Sequence, residues 1–268
     1  MKLDAYLAQF KEETIGIAFH DSATGDELFI HADEPFHPAS TFKVAVMMEV
    51  YNQVRKGLFF LDDEIPIVNM FESIADGSPF WLLPEDDADT SLYEKIGRTA
   101  SAAELVRLMI VRSSNLATNI LVDKVSAGCV NALLKELGVD GVQVLRGVED
   151  SRAHALGMDN NAMARGLMQI MILLAEGRVV SPGASAEMIR IMLGQEFNEG
   201  IPAGLPRETR VAHKTGWNGR TYHDFGLILP VNGKPYVLAV MTHGFEKEAD
   251  AHACVARISE LIYEEHRR

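Results

Sequence analysis

Pro38-Ala39-Ser40-Thr41-Phe42-Lys43-Val44-Ala45-Val46-Met47-Met48 marks the point where a proline-bearing loop gives way to a long apolar run. The run reads as a helix that closes near Arg55, Lys56 and Gly57, with basic residues in its last turn and a glycine stop. It is apolar nearly all round, which predicts burial rather than a surface position. Ser40 and Lys43 are three residues apart and fall on one helical face. Two readings stay open at this point. In one, Ser40 caps the helix and Lys43 is an ordinary surface residue. In the other, Ser40 is a nucleophile whose proton is taken by a desolvated Lys43 of lowered pKa, with the helix N-terminus favouring negative charge nearby. Two features weigh on the second side. Ser40 is the only serine in the chain followed at the third position by lysine, and Lys43 interrupts a stretch otherwise free of charge up to Glu49. A buried lysine needs a reason.

The 268 residues suffice for one large domain or two that share a core. Hydrophobic residues make up 47% and charged residues 24%, an ordinary globular balance. No run approaches the length of a membrane span. The start, Met1-Lys2-Leu3-Asp4, lacks the apolar segment of a signal peptide, so the chain is expected to be cytoplasmic, or exported with its signal outside this sequence. The net charge of -13 argues against nucleic acid and anionic membranes as partners. Cys129 and Cys254 are far apart and without metal-ligand spacing, and are expected to be free, mostly buried thiols. The nine histidines form no His-Glu-x-x-His or paired motif, so no metal or other cofactor is expected.

Leu3, Tyr6, Leu7 and Phe10 space as an amphipathic opening helix. Residues 15–19 and 28–30 read as strands joined by the turn chemistry of Asp21-Ser22-Ala23-Thr24-Gly25-Asp26. From Ser40 to about Pro206 the pattern is mostly helical, broken by a polar interval over 70–97 that carries Phe80 and Trp81. Ser101-Ala102-Ala103-Glu104 reads as a capping box. Helices are expected over 116–125, 131–137 and 162–175. Strands return at 210–214, 224–229 and 236–242, with Asn232-Gly233 as a hairpin turn, and a last helix buries Val255, Ile258, Leu261 and Ile262 between acidic and basic ends (His266, Arg267, Arg268). The fold class that follows is α+β: a five-stranded antiparallel sheet flanked by helices, plus an inserted all-helical lobe. Residues 1–38 and 207–268 would form the sheet lobe, 39–206 the helical lobe, with the site in the cleft between them.

Ser113-Ser114-Asn115 lies at a break between two helices, and Lys214-Thr215-Gly216 at the end of a strand. The order Ser-x-x-Lys, Ser-x-Asn, Lys-Thr-Gly resembles the serine β-lactamase and penicillin-binding-protein superfamily over nearly the whole chain. The chain resembles class A within it, since Arg146-Gly147-Val148-Glu149-Asp150 looks like the Ω-shaped loop that carries a glutamate, and Ser113-Ser114-Asn115-Leu116-Ala117-Thr118-Asn119 is similar to the class A turn and helix.

The resemblance implies a β-lactam ring opened through an acyl-enzyme on Ser40. Lys43, or Glu149 through a water, would take the proton of Ser40. Ser113 would pass a proton to the leaving nitrogen, and Asn115 would orient Lys43 and the substrate. Lys214 and Thr215, with Gly216 and Trp217 beside them, would meet the substrate carboxylate. The N–H groups of Ser40 and Trp217 would form the oxyanion hole, worth about 3 kcal/mol per donor. Glu149 would activate water against the ester, and Arg220 would supply a carboxylate-binding guanidinium. Three departures stand out: Ser114 replaces an aspartate that braces the turn, the loop after Glu149 lacks an asparagine and looks shorter, and Trp217 is bulky. The local alternative for Glu149 is an ion pair with Arg146 or Arg152. His223 and Asp224 are expected to be structural, since no Gly-x-Ser-x-Gly elbow accompanies them. The expected protein is a monomeric serine β-lactamase acting on a small β-lactam. The alternatives are a D,D-peptidase or esterase of the superfamily, or a β-lactam-binding sensor that acylates and stalls.

Overall fold

The two ends of the chain meet in one sheet. The computed structural model describes residues 2–266. Its main sheet contains β1 (Thr14–Asp21), β2 (Glu27–Ile30), β3 (Arg210–Asn218), β4 (Thr221–Leu229) and β5 (Tyr236–His243), in the order β2-β1-β5-β4-β3. The first long strand pairs with the last, from Thr14 opposite His243 to Asp21 opposite Tyr236. The expected five-stranded antiparallel sheet therefore forms, with β3 at one edge. β3 and β4 are longer than the sequence suggested, because Trp217 pairs with Tyr222 beyond the apolar stretch.

Side chains alternate across the sheet, and the two faces bury different partners. Ile15, Ile17, Leu238 and Val240 pack with α1 (Lys2–Leu7) and α9 (Glu248–His266). Ala18, Ala212, Phe225, Ala239 and Met241 face the other way and join the helical core. Burial of each large aliphatic side chain contributes about 1.5–3 kcal/mol. This parity places the polar residues too. Lys214 shares the helical face with Ala212, and His223 shares it with Phe225, whereas Asp224 and His213 point to the α9 side.

The helical part comprises α2 (Lys43–Arg55), α3 (Ala102–Val111), α4 (Asn115–Val125), α5 (Ala127–Glu136), the short α6 (Ser151–Ala155), α7 (Ala164–Ala175) and α8 (Pro182–Met192). α2 is buried on every side from Lys43 to Gln53, as its all-round apolar sequence required. It contacts α3, α4, α5 and α8, while α7 lies across β1, β4 and β5.

Several local expectations are corrected. Ser101 accepts the Glu104 N–H at 3.1 Å, but the Glu104 carboxylate turns to Lys95 at 2.9 Å, so only half of the capping box forms. α5 begins four residues before Asn131, because Ser126 caps it by accepting the Cys129 N–H. That start leaves Cys129 exposed, and Cys254 alone is a buried thiol. The 70–97 interval holds a hairpin, Phe71–Glu72 against Pro79–Phe80, in which Phe80 packs on Phe71 while Trp81 stays exposed. Arg267 and Arg268 lie outside the described residues. Among the described residues no helix is long and apolar enough to cross a membrane.

Candidate active site

Ser40 sits in a 3-10 turn, Ala39–Phe42, and α2 proper starts at Lys43. Neither start carries a side-chain cap, so the capping reading of Ser40 fails. Its half-buried hydroxyl has no hydrogen-bond partner among the described residues. The turn around it is held tightly. Thr41 Oγ1 donates to the Pro38 carbonyl at 2.6 Å. His223 Nδ1 accepts the Thr242 N–H, which assigns the proton to Nε2, and Nε2 donates to the His37 carbonyl at 2.8 Å. Burial pushes the His223 pKa down to about 4, so the ring is neutral at ordinary pH. Its role is to fasten the loop before Ser40. Asp224, on the opposite face, binds His213 at 2.9 Å and the Ile201 N–H at 2.8 Å. A Ser-His-Asp relay is excluded by this parity.

Edge strand β3 presses against the same turn. A Cβ on Gly216 would lie 2.9 Å from the Ser40 nitrogen and 3.0 Å from the Pro38 oxygen. Only glycine allows that approach. The chain continues from there into Trp217, whose side chain is 53% exposed.

Two fully buried lysines flank one hydroxyl. Lys43 Nζ donates to the Ser113 carbonyl at 2.7 Å, to Ser113 Oγ at 3.3 Å and to Asn115 Oδ1 at 2.8 Å. Lys214 Nζ donates to the same Ser113 Oγ at 3.0 Å and to the Thr215 carbonyl at 2.8 Å. Burial drives the Lys43 pKa down to about 7, against the pull of the Asp87 and Glu149 carboxylates. Lys214 is pushed well below the ordinary lysine range by burial first, then by Lys43. Any proton the pair retains gives local positive charge in a chain of net charge -13, which favours an anionic substrate.

Asn115 is more committed than expected. Its Oδ1 accepts from Lys43, and its Nδ2 donates to the Asp86 carbonyl at 3.2 Å. Ser114, in the turn, caps α4 with its hydroxyl on the Ala117 N–H. The loop that carries Glu149 is anchored by Arg146, which pairs with Asp159 and donates to the Met158 carbonyl. Asn119 grips the backbone of Val148 in both directions, at 2.7 and 3.0 Å. A Cβ on Gly147 would strike Asn119 Oδ1 at 2.1 Å, so a larger residue there would displace the Asn119 amide. Asp150 takes the Ser73 hydroxyl and the Ile74 and Ala153 N–H groups, tying the loop to the 71–80 hairpin.

Glu149 stands between these anchors with φ +62° and no hydrogen bond or ion pair from its carboxylate among the described residues. Arg146 is spent on Asp159 and Arg152 on Asp76, so the ion-pair alternative is not realised. The residue is exposed overall, yet enough protein surrounds its carboxyl to raise its pKa. Asp86 adds to that rise, and Arg146 and Lys43 oppose it. Ala39 at φ +46° and Ser113 at φ +57° share the left-handed strain, which costs about 1–3 kcal/mol each and gathers at functional sites.

Ser40, Lys43, Ser113, Asn115, Lys214, Thr215, Gly216 and Trp217 thus converge from four elements, with Glu149 at one wall. Arg220 does not join them: it lies in the β3–β4 turn, where its guanidinium donates to the Gly244 carbonyl. The sequence reading missed Asp87, Asn119 and Asp150. Asn119 carried a signal, four residues after Asn115 on the same helix face. Among the described residues no cluster of His, Cys, Asp and Glu is arranged to hold a metal ion.

The sequence model of the family described as "Beta-lactamase enzyme family" matches residues 1–266. The extended-spectrum β-lactamase PER-1 of Pseudomonas aeruginosa is 23% identical over 95% of this chain and 83% of its own. In three dimensions the chain is similar to a structure titled PBP-A, with TM-score 0.86 at 24% identity over 99% of this chain and 94% of that one. A β-lactamase from Sphaerobacter thermophilus superposes with TM-score 0.85, at 24% identity over 99% and 96% of the two chains.

Proposed function

This chain belongs to the β-lactamase enzyme family, and on that premise we propose that it opens the β-lactam ring of penicillin- and cephalosporin-type compounds through an acyl-enzyme on Ser40. The observation that carries the reading is Lys43: an amine buried three residues from a free hydroxyl, its pKa near 7, bonded to both Ser113 and Asn115. Ser40 Oγ attacks the lactam carbonyl as its proton passes to Lys43. The N–H groups of Ser40 and Trp217 take the oxyanion. The C–N bond breaks, and the nitrogen takes the proton of Ser113, which is refilled from the adjacent lysines. Lys214 and Thr215 hold the substrate carboxylate. Glu149 then removes a proton from water, and the resulting hydroxide attacks the ester. The C–O bond to Ser40 breaks, and the proton held by Glu149 is returned to Ser40 Oγ by way of the site's proton carriers, which regenerates the enzyme. One water is added across one amide bond.

The same reading takes residues 1–38 with 207–268 as a sheet lobe and 39–206 as a helical lobe, the reaction lying at their seam. The working unit is a monomer without a nucleic-acid partner, in keeping with the net charge of -13. Nitrocefin is the direct test. Colour change far in excess of the enzyme concentration is expected; a change that stops at one equivalent would reject hydrolysis.

The pH dependence follows from the lysine. Below about pH 7 Lys43 holds its proton and cannot accept another, so acylation should fall tenfold per pH unit on the acid side of that point. Single-turnover kinetics from pH 5 to 9 would show it. An acid limb in the carboxylate range would move the base role to Glu149.

Trp217 should restrict the groups tolerated beside the lactam carbonyl. Trp217→Ser is expected to raise kcat/KM for bulky cephalosporins over small penicillins several-fold, and an unchanged ratio removes that role. A second reading, a slowly deacylating peptidase-type or sensor protein, is favoured by one observation. Asn119 grips Val148, one residue before Glu149, and the Glu149 carboxylate makes no bond to Lys43.

A further inference from the structure

Ser114 offers one hydroxyl acceptor at the start of α4, and it is used on the Ala117 N–H. The other free N–H groups of that helix start are met from a distant part of the chain. Asp87 accepts the Asn115 N–H on both carboxylate oxygens at 2.9 Å and the Leu116 N–H at 2.9 Å. Tyr93 donates its hydroxyl to the same group at 3.0 Å, and the Asp89 N–H adds a further bond at 3.0 Å. The carboxylate therefore sits at the positive end of an eleven-residue helix, with charge-assisted bonds that fix both its oxygens. The residue it grips, Asn115, holds Lys43 Nζ through Oδ1 at 2.8 Å and is tied by Nδ2 to the neighbouring Asp86 carbonyl.

We propose that Asp87 is a positioning residue for the reaction, the brace that holds the Ser113–Asn115 turn and, through Asn115, the Lys43 amine. The brace is borrowed from the 70–97 interval, not built into the turn. This deepens the function proposed above and rests on it for the kinetic consequence alone. Asp87 acts in two ways. Its hydrogen bonds set where Asn115 lies, and its charge favours the protonated form of Lys43. The charged groups that act on Lys43 are Asp87 and Glu149, both attractive, and Lys214, which repels. Loss of the Asp87 charge should thus lower the Lys43 midpoint, while loss of its grip slackens the turn.

The test combines two readouts on the purified full chain. Lysine side-chain carbons are labelled, and the Lys43 titration is followed by NMR without substrate; acylation by nitrocefin is followed by stopped flow. In Asp87→Asn, which keeps the shape and removes the charge, the Lys43 midpoint should move to lower pH and the plateau acylation rate should fall about tenfold. Circular dichroism checks that the variant is folded. Tyr93→Phe leaves the carboxylate in place and should change the rate less than threefold, with the midpoint held. Asp87→Glu keeps the charge one methylene away. It should hold the midpoint near that of the parent while slowing acylation, and it carries the test if the asparagine variant does not fold. An unmoved midpoint with a rate within twofold of the parent in Asp87→Asn overturns the proposal. So do equal midpoint shifts in the glutamate and asparagine variants. A parent that opens no β-lactam, with the midpoint still shifted in Asp87→Asn, would sink the function and leave the brace standing.

Discussion

Ser40→Ala is expected to lose β-lactam hydrolysis by roughly 10³- to 10⁶-fold, the loss seen when a covalent catalyst is stripped of its nucleophile. The structure makes this an unusually clean substitution. The Ser40 hydroxyl makes no hydrogen bond among the described residues, so no side-chain bond is lost with it. The turn is held instead by Thr41, by His223 through the His37 carbonyl, and by the close approach of Gly216. Stability should therefore change by no more than about 0.5 kcal/mol. Thermal unfolding and nitrocefin turnover, measured on the same preparation, check both halves. Activity retained within tenfold would mean that another group attacks the ring. Activity lost together with folding would assign Ser40 a part in holding the turn.

Glu149→Gln is the second large effect. Acylation and deacylation both put an oxygen on a carbonyl, but different groups activate that oxygen. Lys43 starts α2 immediately after the Ser40 turn and serves the first step. The second needs a base on a water at the far side of the ester, and Glu149 is a carboxylate that acts on Lys43 and has no ion pair among the described residues. Burial and Asp86 raise its pKa, which makes it a better base than an ordinary glutamate once ionised. A positioned base contributes about 10²- to 10⁴-fold. The variant should acylate at close to the parent rate and then stall, so that covalent adduct builds up while turnover falls by that factor. The left-handed backbone at residue 149 strains glutamine as it strains glutamate, so the comparison isolates the charge. Parent and variant stalling alike would hand the site to the peptidase or sensor reading.

The sheet was legible because period-2 apolar runs at both ends of the chain had no partner except each other. Lys43 was legible because a charge inside a wholly apolar helix needs a reason, and the structure supplies it in Ser113 and Asn115. Lys214 was legible only through the Lys-Thr-Gly motif and the family resemblance it carries; the structure adds that its parity with Ala212 turns it toward the helices. What stayed hidden depends on contacts between residues distant in sequence. Asp87 lies among Glu85, Asp86 and Asp89, and nothing in that acidic run marks which carboxylate reaches α4 28 positions later. The Asp150 link to Ser73 crosses 77 positions. Cys129 was expected inside because cysteine usually is, but Ser126 starts α5 early and turns that residue outward. Arg220 was assigned to the substrate from the family resemblance, as the guanidinium that would bind a carboxylate. Its place in the β3–β4 turn, bonded to Gly244, depends on where β4 begins, and that was read three residues late.

The account stands or falls on a covalent bond to Ser40 that forms and is then hydrolysed. Time-resolved intact-protein mass spectrometry with benzylpenicillin in large excess, followed by peptide mapping of the trapped species, reads both events in one experiment. The account predicts an adduct confined to the peptide that contains Ser40, present only while substrate remains, with ring-opened penicillin accumulating to many equivalents. No adduct, an adduct on another serine, or a stoichiometric adduct that outlasts the substrate for hours would contradict it.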